Sequence, residues 1–139
     1  MATQLRRLSI AEFIGCLIDH IEEHTGLPCY DDPDGKASPF YSVQLVRSEP
    51  ADTKTEFRDV YTVWIHCISK AVRPHSNAPV LVLVQKLEEA MTAELELPCP
   101  HLLQRQDYSG VQVLKKDESG EGHAVLSFDF HIRYGFRCK

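Results

Sequence analysis

Along residues 123–137, HAVLSFDFHIRYGFR, apolar and polar side chains alternate almost without a break. Ala124, Leu126, Phe128, Phe130, Ile132, Tyr134 and Phe136 occupy the even positions, and His123, Ser127, Asp129, His131, Arg133 and Arg137 the odd ones. Period-two alternation predicts a strand with one buried face. Strands commonly run only about 5–6 residues, so this one is long for a small domain. Its even side is expected under helices, and its polar side needs a separate explanation.

The same reading gives the remaining elements. Ser9-Ile10-Ala11-Glu12 fits a capping box, and Ile10, Phe13, Ile14, Leu17, Ile18 and Ile21 follow at helical spacing until Gly26 and Pro28 end the helix. FYSVQLVRS predicts a strand with Tyr41, Val43 and Leu45 on one face. The segment between Arg47 and Arg58 is polar and predicts a long hairpin connection. DVYTVWIHCIS predicts a second strand, with Tyr61, Val63, Ile65 and Cys67 on one face and Val60, Trp64 and Ile68 on the other. Apolar residues on both sides suggest cover on both sides. A second helix is expected after Ser76 or Asn77, with Pro79 in its first turn and Val80, Leu83, Val84, Leu87 and Met91 as its stripe. A short strand through the valines and leucines is the competing reading. LLQRQDYSGVQVLKKD predicts a third strand with a bulge at Gly110, and ESGEG a turn.

The expected order is therefore α-β-β-α-β-β. It makes one α+β domain over residues 1–139: an antiparallel or mixed four-stranded sheet with both helices on one face. The order suggests two αββ units without a residue-level repeat.

Composition narrows the function. Net charge is −5, and residues 1–70 hold 7 basic and 11 acidic groups against 8 and 9 in residues 71–139. Neither half is basic, which argues against tight nucleic-acid binding. Five cysteines without a C-x-x-C pair read as thiols in a reducing compartment. The longest apolar run, PVLVLV, is too short for a membrane span, and the first residues do not form a signal peptide. A soluble cytoplasmic product is expected.

No constellation passes a geometric test for catalysis. Cys16, His20 and His24 recur every four residues, but successive turns of a straight helix do not surround one ion, so a half-solvated flank is the plainer reading. DDPDGK lacks the acidic residues a calcium loop needs at its two ends. His66 and Cys67 are strand neighbours and face opposite ways; Cys99 and His101 have no orienting third group. Asp129 and His131 share a strand face, where a solvated or interface row is favoured over a catalytic pair. No enzyme activity, metal or cofactor is expected.

One set of residues resembles a known family. Gly26-Leu27-Pro28-Cys29-Tyr30 follows the first helix, Pro39-Phe40-Tyr41 opens a strand, and Thr53-Lys54-Thr55 precedes Val60-Tyr61-Thr62-Val63-Trp64-Ile65-His66. His123 then opens the alternating strand. In that order, from about Ser9 to Arg137, the chain resembles the small tail-completion or tail-terminator proteins of long-tailed bacteriophages and prophages. The resemblance implies a ring of copies, commonly six, assembled either in solution or from monomers once they meet the tube. Such a ring caps the tail tube, meets the tube protein and the head–tail connector, and lets DNA through its lumen without specific binding. It implies folding in the host cytoplasm and residence in the virion tail, with no membrane. Thr53, Lys54 and Thr55 at the hairpin tip and Asp129, His131 and Arg133 on the last strand become candidate subunit or partner contacts. The alternative is a non-enzymatic host α+β module that binds a small ligand or peptide.

Overall fold

The structure, a computed structural model, describes residues 5–72, 76–116 and 120–136. The first helix, α1 (Ile10–Thr25), starts as expected: the Ser9 hydroxyl accepts from the Glu12 amide at 3.0 Å. The Glu12 carboxylate does not close the box; it lies 3.3 Å from Arg6 instead. Gly26 ends the helix at φ 74°, a conformation that costs glycine nothing.

The sheet has five strands, one more than expected. β1 (Cys29–Tyr30) is a two-residue strand between α1 and β2, and it runs parallel to β2 (Phe40–Pro50). β3 (Glu56–Ile68), β4 (Leu102–Lys116) and β5 (Gly122–Phe136) complete the order β1-β2-β3-β5-β4. The sheet is thus mixed, because β1 is parallel while the other pairs are antiparallel. The segment 78–90 is helical, as α2 (Ala78–Ala90), and not a strand. Ser76 Oγ accepts from the Ala78 amide, Asn77 makes no side-chain cap bond, and Pro79 sits in the first turn. The expected Arg73-Pro74-His75 lead, part of the ESGEG turn, and the tail with Arg137 and Cys138 lie outside the described residues.

Both helices pack on one face. Phe13 of α1 touches the rings of Tyr61 and Phe130 at 4.9 and 5.1 Å, and Tyr41 Oη donates to the Leu83 carbonyl of α2 at 2.7 Å. His20 is buried with Nε2 2.9 Å from the Ala90 carbonyl, so it joins the two helices. Ala124, Leu126, Phe128, Phe130, Ile132 and Tyr134 are all buried beneath this layer. Phe136, grouped with them by alternation, is 61% exposed; the strand has run past the helices, and the Arg133 guanidinium lies over its ring at 4.4 Å.

No element covers the opposite face among the described residues. Val60, Trp64 and Ile68 do not reflect cover on both sides. They lie on the open face, where Val60 is buried by its strand neighbours, Trp64 is half-buried in mid-strand, and Ile68 is half-buried at the end of β3.

Candidate assembly interface

Register builds the open face. Thr62 stands opposite Asp129, Val60 opposite His131, and Arg105 and Asp107 of β4 opposite His131 and Asp129. Thr62 Oγ1 donates to Asp129 at 2.7 Å, and His131 Nε2 lies 3.2 Å from Asp107. Asp107 also accepts from Arg105 at 2.9 Å, and these contacts, Arg105 first, hold its carboxyl below the usual range. Arg133 reaches Glu56 at 3.4 Å, and Glu56 accepts from Gln104 at 3.0 Å; Gln104 leads in keeping the Glu56 carboxyl low. Arg58 donates to Gln104 at 3.2 Å. The polar side of β5 is therefore tied into its own sheet, strand by strand.

Asp129, His131 and Arg133 come together on one face, and Asp129 and His131 have separate partners rather than each other. β5 is flanked by β3 and β4, so it offers a neighbour its face and not a backbone edge. Thr53, Lys54 and Thr55 lie elsewhere, at the tip of the β2–β3 hairpin.

That hairpin differs from the expected long polar connection. β2 continues through a bulge between Leu45 and Arg47 to Pro50, β3 begins at Glu56, and only Ala51–Thr55 link them. The pattern hid the strand because at the sheet's edge Arg47–Pro50 pair by backbone with Thr62–Asp59 while their own side chains stay largely exposed. Proline at the end of an edge strand costs no ladder bond. The tip is built: Ala51 N donates to Arg58 O, Thr53 N to Glu56 O, and Thr53 Oγ1 accepts from the Thr55 and Glu56 amides. Asp52 accepts from the Arg58 amide at 3.0 Å, and the Glu56–Gln104–Arg133 cluster braces the base. Lys54 and Thr55 remain exposed.

A further polar group was not anticipated. His66 Nε2 lies 2.7 Å from Gln44 Oε1, and His66 Nδ1 lies 2.8 Å from His123 Nε2. Burial, then His123, lowers the His66 pKa. Alternation alone puts His66 and His123 on the open face; their meeting requires the β3–β5 register.

Two of the thiols are poorly placed as nucleophiles. Cys29 and Cys67 are buried in the core, and burial pushes the Cys29 thiol up to about 12 and Cys67 higher still. Cys67 faces the core while His66 faces out. His101 holds the Arg6 and Pro98 carbonyls. His20 spends a ring nitrogen on Ala90, and Asp32 accepts from the Asp34 amide in a turn. No group of three metal-binding side chains occurs among the described residues, and none of the described helices is long and apolar enough to cross a membrane.

Comparison with known proteins agrees with the motif order. No curated protein matches the chain. A chain in a solved structure titled "Virion of native gene transfer agent (GTA) particle" shares the fold, at TM-score 0.64 and 18% identity, over 81% of this chain and 84% of that one. A phage tail-terminator family model, described as "Putative tail termination protein", matches residues 4–139. On that match the chain belongs to the phage tail-terminator family, whose members are structural proteins of the tail.

Proposed function

We propose that copies of this chain close into a ring, six in the reading the family implies, on the head-proximal end of the tail tube. The ring stops tube growth there and presents a surface to the head–tail connector, and DNA passes through its lumen. The chain folds in the host cytoplasm and ends in the virion tail. The observation that carries this reading is the family match, which spans nearly the whole domain. The charge fits it: with net −5 and no basic half, the chain does not retain passing phosphates. The role is structural and needs no turnover.

The reading assigns contacts to two surfaces. The hairpin tip, with Thr53, Lys54 and Thr55, is tied by its own hydrogen bonds and so presents a fixed shape. The open face, with Asp129, His131 and Arg133, presents a second. Replacing Asp52–Thr55 by a Gly-Ser segment of equal length tests the first. Stability should fall by only about 1–2 kcal/mol, because the bonds lost at Asp52 and Thr53 are exposed or part-buried. Virion yield in an infection-complementation assay should nonetheless collapse. Normal yield from a variant of unchanged stability would show the tip to be passive.

A further inference from the structure

The two ends of the sheet are complementary. At one end β4 is the outermost strand, and most of its second half is exposed. There Val111 is 44% exposed, Val113 40% and Leu114 43%. Register places Val111 and Leu114 on the helix side, opposite Leu126 and Ala124, and Val113 on the open side, opposite Val125. Natural edge strands are usually blunted by charge, proline or twist. This one carries a bulge at Gly110 (φ 86°), then an apolar stretch, then Lys115 and Lys116.

At the other end β1 pairs with β2 only at Tyr41 and Ser42. The outer edge of β2 from Val43 onward has no strand partner among the described residues. Beside it runs a groove of about 840 Å³, lined by Ile10, Ile14, Gly15 and Ile18 of α1 and by Val43 and Leu45 of β2. Asp31 stands at its rim, and Asp32 and Asp34 follow in the same loop. The loop's one lysine, Lys36, lies over the Tyr30 ring at 5.3 Å. Glycine inside a helix is unfavourable relative to alanine, and a Cβ at Gly15 would meet nothing within 4 Å of this chain. Packing within the chain therefore does not demand glycine there, whereas close approach by an incoming backbone would.

We propose that the β4 edge of one copy seats in the α1–β2 groove of the next, extending the sheet from copy to copy. The occupant is a second copy because its charges fit: Lys115 and Lys116 at the end of β4 face the aspartates of the 31–34 loop. Main-chain pairing along a free edge supplies the common part of the contact, and the groove side chains supply selectivity. The contact joins two different surfaces, so it propagates head to tail and makes a ring when the rotation closes. The inference rests on the ring reading above and names the surfaces that would build the ring.

The test uses two variants that spoil opposite halves. Gly15→Arg fills the groove with a bulky cation and, with open space around it, leaves the fold intact. Val113→Lys charges the exposed β4 edge; Leu114→Glu replaces it if thermal melts show Val113→Lys to be unstable. In sedimentation across a wide concentration range, the wild-type chain should self-associate and each variant alone should stay monomeric. An equal mixture of the two should form a dimer and nothing larger, since one intact groove and one intact edge remain. A wild-type chain that is monomeric throughout, both alone and with purified tail tubes added, a folded variant that associates like the wild type, or a mixture that stays monomeric would each overturn the contact. The tail-termination reading is judged separately, by tail length, so the two can fail independently.

Discussion

Phe128→Ala should cost about 3–5 kcal/mol of folding stability, measured by chemical denaturation. Phe128 is 1% exposed, at the centre of β5, and β5 is the strand that joins the two halves of the sheet. Its ring stacks on Tyr108 at 4.7 Å and lies 6.1 Å from Phe130, which in turn meets Phe13 of α1. Truncation removes both the transfer free energy of the ring and its contacts, and strands on both sides limit collapse around the void. Trp64, the other large aromatic that alternation marks as core, should lose clearly less on replacement by alanine. It is only half-buried, on the face without helices. A loss below about 1 kcal/mol at Phe128, or a larger loss at Trp64, would mean that the packed face is assigned to the wrong side.

Arg7→Ala should destabilise by about 1–3 kcal/mol near neutral pH, and the loss should shrink in acid. Asp59 points to the helix side of β3, with its side chain 8% exposed, and Arg7 Nε reaches its two oxygens at 3.1 and 3.4 Å. Burial raises the Asp59 pKa, and Arg7 opposes that rise. A carboxyl whose folded pKa is raised favours folding when protonated, and that contribution is lost as pH climbs through the folded value. Without Arg7 the rise is larger, so the variant's deficit is greatest above that value and small below about pH 4, the ordinary aspartate range. Arg7 is more than half exposed, which places the expected loss below that of a fully buried pair. A deficit that does not change with pH would show that the lost contact is the guanidinium over the Tyr134 ring, 5.2 Å from its centroid, rather than the ion pair.

These two sites mark what was legible in the chain. Signals that act within a few residues survived folding: the Ser9 cap, the Gly26 stop, the Gly110 bulge and the even side of residues 124–134. The αββ duplication also shows in space, since the second strand of each hairpin lies innermost. What could not be read depends on distant partners. β1 is two residues long, too short for any period, and exists because α1 delivers Cys29 and Tyr30 alongside Tyr41 and Ser42. The bulge at Leu45 and Arg47 breaks alternation, so the ribbon to Pro50 reads as loop. Val60 and Trp64 look like core on a second face, yet neighbouring side chains within one sheet cover them. The polar side of β5 is legible as polar, but its pairing with Thr62, Asp107 and Glu56 follows only from register.

The central claim is that this chain ends the tail tube. Electron microscopy of tails assembled in infected cells, with and without the intact gene for this chain, measures that directly. The account predicts tails of one length in its presence, and overlong tubes of variable length that fail to join heads in its absence. Supplying the chain from a plasmid should restore both length and joining. Tails of normal, uniform length that still join heads when the chain is missing would contradict it.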